Sequence, residues 1–304
     1  MGEALAVVSM TLFALTNIAV SRGHDGKSRS SGAFLSIAIT FLMSGLIWSI
    51  SVIRAGWPEL DREAVAWFAL GGFLTIFIGR VFVYASIQHL GAIKASAVKR
   101  LNPFFSVLLG VLVLGETISG PMAFGMLLIL LSFAVLVRQA VYFAEEGERL
   151  ADRQSLFRRM ANLGYLFGPI SAFAYASGYV ARKYGMEILP DAAFGTMVGA
   201  LSGIIFFVLA SGFIGSYRDD LKRTFTVFNK WFLAAGIVSS LGQICYFAAL
   251  KYIGISKIAL ITSMEVFVTM ILSTLVFLSK EKLTIDLIVA ACLGFAGTVF
   301  VILY

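Results

Sequence analysis

Four side chains carry charge where the surrounding sequence is hydrocarbon: Arg80, Lys99, Arg100 and Glu265. An ionised group at membrane depth costs several kcal/mol unless it is paired or hydrated, so such residues are retained for chemistry or for structure. Three cations against one carboxylate make a net positive field. That field suits an anionic or zwitterionic solute, with a carboxylate or phosphate on the arginines and an ammonium on Glu265. Asn17, Asn102, Gln243, Tyr175 and Tyr179 are the polar residues placed to join them. Two plainer readings stand beside this one. Lys99 and Arg100 can snorkel to the interface on their long stems, and Arg80 with Glu265 can form an ion pair that only pins the structure together.

The elements that position these residues are membrane-spanning helices. Hydrophobic residues make up 59% of the 304 and charged residues 13%, against roughly 25% charged in soluble domains, and mean hydropathy is +0.91. Apolar runs long enough to cross as helix are expected at 3–21, 31–53, 65–88, 94–114, 119–139, 162–181, 191–214, 231–251, 257–279 and 284–303. Period-2 alternation is not sustained, which disfavours a β-barrel. The predicted class is all-α and integral to the membrane, with ten spans. The polar stretch 140–161 reads as a connector lying on the membrane surface. The first span is expected to be retained rather than cleaved, since no Lys or Arg precedes it.

The chain repeats itself at an offset of about 163 residues. Trp67-Phe68-Ala69-Leu70-Gly71-Gly72 returns as Trp231-Phe232-Leu233-Ala234-Ala235-Gly236, and Gly91-Ala92-Ile93-Lys94 as Gly254-Ile255-Ser256-Lys257. Five spans per unit is an odd number, so the halves 1–139 and 162–304 are expected to enter the membrane with opposite orientation. At this offset Arg80 falls opposite Gln243, and Asn102 opposite Glu265. Arg80 and Arg100 flank a predicted hairpin turning near 89–94 and lie at similar depth along it. Gly195, Gly199 and Gly203 form a small-residue face whose counterpart is Gly32, Ser36 and Thr40, which points to helices in close approach.

Odd-numbered loops hold fifteen Lys and Arg and even-numbered loops six, Arg182 and Lys183 among the six. By the positive-inside rule the odd loops face the cytoplasm and both termini lie outside. The net charge of +7 therefore belongs to topology and anionic lipid, not to nucleic acid. Cys245 and Cys292 fall inside spans and read as small core residues. With only His24 and His89 present, a multi-histidine metal site cannot be built. No Gly-x-Ser-x-Gly and no nucleotide-binding loop occur, so no cofactor is expected, an intramembrane enzyme is disfavoured, and any transport runs on a gradient or by exchange.

The segment Tyr84-Ala85-Ser86 through Gly91-Ala92, Ala95-Ser96-Ala97, Asn102-Pro103 and Leu114-Gly115-Glu116 resembles the repeat of EamA-type carriers in the drug/metabolite transporter superfamily. The second half resembles it through Ala248, Gly254, Ala259, Glu265 and Glu281, departing where Val266 follows Glu265 and where Ser279-Lys280 precedes Glu281. The resemblance implies a ten-helix secondary carrier with its site between the halves, in an inner cell membrane, moving a small polar metabolite. A lipid flippase on the same fold is the alternative. Protons, a counter-substrate and a second copy of the chain as a homodimer are the partners left open. Relatives of this pattern often keep both termini in the cytoplasm, opposite to the charge count.

Overall fold

The structure, a computed structural model, describes residues 1–23, 32–90, 101–148, 163–275 and 285–303. Lys99, Arg100, the turn after Leu90, Glu281 and the later part of the 140–161 connector lie outside the described residues.

Helices account for almost all of what is described. In chain order they are α1 (Gly2–Gly23), α2 (Ala33–Ala55), α3 (Arg62–Gly72), a π-helical segment (Phe73–Gly79), α4 (Arg80–Leu90), α5 (Leu101–Leu114), α6 (Gly120–Glu148), α7 (Leu163–Ile188), α8 (Ala192–Phe213), α9 (Gly215–Thr226), α10 (Lys230–Leu250), α11 (Ile255–Thr262), α12 (Glu265–Leu275) and α13 (Ile285–Leu303). Six stretches among the described residues are long and apolar enough to cross a membrane: Gly2–Gly23, Ala33–Arg54, Arg62–Ile87, Ala192–Phe213, Lys230–Leu250 and Ile255–Ser273.

Two expected spans are interrupted. The third widens into the π-helical segment, a feature that often marks a functional site. The ninth breaks at Ser263-Met264, directly ahead of Glu265. There the Thr262 hydroxyl donates to the Ile258 carbonyl at 2.9 Å and that of Ser263 to Leu260 at 2.6 Å. Such side-chain bonds compete with the helical ladder and loosen it. Two more expectations change. The sixth span runs on to Ile188 rather than stopping at 181, and the fifth continues as helix to Glu148, into the predicted connector.

The principal helix contacts come in matched pairs. α1 packs on α10 as α7 packs on α3, the π segment and α4; α2 meets α10 as α8 meets α3; α1 meets α11 and α12 as α7 meets α5. Contacts of α2 with α8, α5 with α11, and α6 with α13 complete the set. In lipid, helices associate through close packing rather than through the hydrophobic effect. Gly72 accordingly lies on the Gly199 backbone with no room for a Cβ, and a Cβ on Gly125 would come 2.7 Å from the Gly297 carbonyl. Gly195 and Gly203 of the small-residue face abut Phe68 and Ile76 of the first half. At one end of the bundle, the Met1 end, Gly2 rests on Tyr252 and Ile253. At the other, the polar helix α9 is anchored by buried Asp220, which accepts from the backbone N–H groups of Gly32 and Phe34 at the start of α2, both at 3.3 Å. Cys245 is half-buried and Cys292 is exposed on the bundle surface rather than in the core; both are free thiols.

Candidate functional site

Two guanidinium groups are enclosed in the middle of the bundle. Arg80 opens α4 and is 1% exposed; Arg182, near the end of α7, is fully buried. Among the described residues no carboxylate lies within ion-pair distance of either, so the expected alternative of an Arg80–Glu265 pair is not formed. Arg80 instead reaches α2, where its Nη1 donates to the Ser36 carbonyl (3.0 Å), the Ser36 hydroxyl (3.2 Å) and the Thr40 hydroxyl (2.7 Å). Tyr84 donates to the same Ser36 hydroxyl at 3.0 Å, and Thr40 is joined to Ser240 of α10 at 2.9 Å. The Nε and Nη2 of Arg80 have no hydrogen-bond partner among the described residues.

Arg182 is the residue that sequence reasoning missed, having placed it in a loop. The helix carries it inward, where Nη1 donates to Gln243 Oε1 at 2.5 Å and Nη2 donates to the Thr75 hydroxyl. Its Cζ lies 4.4 Å from the centre of the Phe247 ring, a cation–π arrangement. A Cβ on Gly71 would come 2.7 Å from Arg182 Cγ, so this side chain fits only because residue 71 has none. Its Nε also lacks a partner. One signal was present in the sequence: Tyr175, Tyr179 and Arg182 are spaced i, i+4, i+7, which is one face of a helix.

The π-helical segment explains how Thr75 and Arg80 serve one site. A π turn holds more residues than the 3.6 of an α turn, so residues five apart come closer to a common face. Tyr175 and Tyr179 line the same region, with the Tyr179 ring stacked on Tyr246 at 4.0 Å between centroids. The Tyr246 hydroxyl is buried without a partner. On the far side Asn17 Nδ2 donates to Glu265 Oε1 at 3.5 Å, and Glu265 lies within electrostatic reach of Tyr179. Asn102 is buried in the first turn of the described part of α5, where its Oδ1 accepts from Ser106. The structure thus gathers Arg80, Gln243, Tyr175, Tyr179, Asn17 and Glu265 around one centre and adds Arg182, Thr75, Ser36 and Thr40. Asn102 is occupied with a neighbour one turn along its own helix.

What this centre offers is a set of unused donors. Buried polar groups are nearly always bonded. Among the described residues, Arg80 Nε and Nη2, Arg182 Nε and the Tyr246 hydroxyl are not, which is the inventory needed to receive an acceptor-rich anion. The model of the EamA-like transporter family matches residues 1–138 and 162–303. The chain belongs to the EamA-like transporter family. The family is one of membrane transporters, the described apolar helices are those of a multi-pass membrane protein, and the family points away from enzymatic activity. The chain is 25% identical over 143 residues to solute carrier family 35 member B1 of Danio rerio, a match covering 44% of this chain and 42% of that protein's length. A solved crystal structure shares the fold with a TM-score of 0.67 and 16% identity, over 99% of this chain and 98% of its own.

Proposed function

We propose that this transporter is a secondary carrier for a small anionic or zwitterionic metabolite, such as an amino acid, an organic acid or a phosphorylated anion. Two inverted five-helix repeats, 1–139 and 162–304, rock about the central site by alternating access. The observation that carries this reading is the pair of buried guanidinium groups with, among the described residues, no carboxylate on them and with unpartnered N–H donors. A permanently charged group buried without a counter-ion is costly, and an incoming anion is the natural occupant. Helix contacts matched under exchange of the halves support the two-repeat reading, and spans shorter than the rest are counted in the ten. Glu265 is the group for a substrate ammonium or a coupling proton.

The test is uptake by the full chain in liposomes, using labelled amino acids, organic acids and sugar phosphates chosen by a thermal-shift screen. Arg80→Gln and Arg182→Gln are each expected to cut uptake by at least about a hundredfold, the scale of a lost charged contact of about 3 kcal/mol, while eluting as folded protein. Full uptake by both variants overturns the site. Lipid scrambling without solute uptake assigns the flippase instead.

The charge bias gives the orientation in an inner cell membrane. With Arg182 moved from a loop to the core, the count is fifteen against five, and the direction is unchanged. A reporter active only in the cytoplasm, fused after Tyr304, is expected to stay dark. A bright reporter reverses the assignment.

A further inference from the structure

The Met1 end of the bundle is closed by contacts between the two halves, and one of them differs in kind from the others. Glu3 meets Lys257 at 3.4 Å with both side chains partly exposed, the sort of pair that contributes little. Tyr184 donates to the Val113 carbonyl at 3.2 Å. Glu116 does more. Its Oε1 accepts from the Ile255 N–H at 2.7 Å and its Oε2 from the Ser256 N–H at 3.0 Å, so one carboxylate takes the first two amides of α11. These are amides that a helix leaves without internal partners. They sit at the positive end of the helix dipole, where a carboxylate forms short, charge-assisted bonds.

The chain around Glu116 is shaped for this contact. Gly115 turns with φ +64°, a left-handed conformation that favours glycine. Glu116 then returns its own N–H to the Gly110 carbonyl at 3.0 Å. On the other side, a Cβ on Gly254 would come 2.6 Å from Glu116 Oε1, so only glycine lets the carboxylate reach the helix end. The Ser256 hydroxyl beside it is buried with no hydrogen-bond partner among the described residues. From that end α11 runs eight residues, about 12 Å, to the break at Ser263-Met264 and to Glu265. One short helix therefore joins this contact to the candidate site.

We propose that Glu116 is the latch of the Met1 end. It clamps the amino end of α11 to the first half, and its release is the step that opens the site toward this side. The proposal rests on the reading of the two halves as units that move against each other.

The test is thiol accessibility in the full chain in detergent micelles, in a Cys245→Ala/Cys292→Ala background carrying Ser256→Cys. Ser256 is 1% exposed, so its replacement is expected to react slowly with a hydrophilic maleimide while Glu116 is intact. Glu116→Gln is expected to raise the labelling rate at least tenfold, with Glu116→Asp intermediate. Tyr252→Cys, at an exposed position of the same end, sets the maximal rate. Equal labelling with and without the carboxylate overturns the latch, and so does labelling of Ser256→Cys at the Tyr252→Cys rate with Glu116 present. If Glu116→Gln does not elute as a single folded species, Glu116→Asp, which keeps the charge on a shorter arm, carries the comparison. No substrate enters this measurement, so failure of the latch and failure of the anion site are read separately.

Discussion

At two pairs of equivalent positions in the halves, one half has a charge and the other an amide. Arg80 stands opposite Gln243, and Glu265 opposite Asn102, each at the 163-residue offset. The principal helix contacts come in matched pairs, but the charges do not. Each third span still holds a buried guanidinium. In the first half it is the span's own Arg80, held by Ser36 and Thr40 of the neighbouring α2. In the second half the span contributes the acceptor, Gln243, and the cation comes from α7. The matched helices thus enclose two comparable niches that differ in the polar residues they hold. The first half contributes Arg80, whereas the second contributes both Arg182 and Glu265, so the ionised groups are not shared equally between the halves.

The sharpest way to break the comparison is to make the two third spans alike. Gln243→Arg would set a second buried cation against Arg182 Nη1 where the 2.5 Å hydrogen bond now lies. A hydrogen bond to a charged group is worth about 1.5–3 kcal/mol, and replacing the neutral acceptor with a second buried cation costs more than losing that bond. The expected outcome is loss of most folded protein, measured as monodisperse elution and melting temperature. The double variant Arg182→Gln/Gln243→Arg exchanges donor and acceptor and is expected to recover the folded yield. If the single variant is as stable as the parent, the Arg182–Gln243 contact does not organise the site. If the double variant also recovers uptake, the location of the cation matters less than its presence.

The frame was legible in the sequence and the niches only partly. Apolar length marks a span whatever it packs against, so the helices fall close to their expected places. The break before Glu265 coincides with hydroxyl-to-carbonyl bonds from Thr262 and Ser263 within an otherwise apolar run, and composition is blind both to it and to the π-helical segment. Arg182 was assigned to a loop because the apolar run ends at Ala181, although the helix continues to Ile188. Its alignment with Tyr175 and Tyr179 was the readable sign of an inward face. Ser36 and Thr40 were read as a packing stripe. Their smallness does admit a neighbour, but the neighbour is the Arg80 side chain, and their oxygens are what hold it. Chain periodicity shows which residues share a face, whereas the depth at which a long side chain ends depends on what the facing helix leaves open.

The second pair gives a narrower test, of function rather than folding. Glu265 begins α12, where the helix dipole favours a negative charge, and it accepts from Asn17 Nδ2. An amide at 265 keeps the acceptor oxygen for Asn17 and removes only the charge. Under the proposed coupling role, Glu265→Gln should still exchange labelled for unlabelled substrate across loaded liposomes. It should fail to accumulate substrate against a gradient, because the step that exchanges a proton or ammonium for the empty site is gone. Asn102→Ala is the matched control in the other half. It removes the acceptor of the Ser106 hydroxyl, a neutral bond at 3.0 Å worth about 1 kcal/mol, and should leave accumulation within about twofold. Loss of exchange together with accumulation in Glu265→Gln would make Glu265 a structural residue that shapes the site. Normal accumulation under a proton gradient would remove it from coupling. An equal defect in Asn102→Ala would show that the two positions work as a symmetric pair, and the unequal division of charge between the halves would then carry no functional difference.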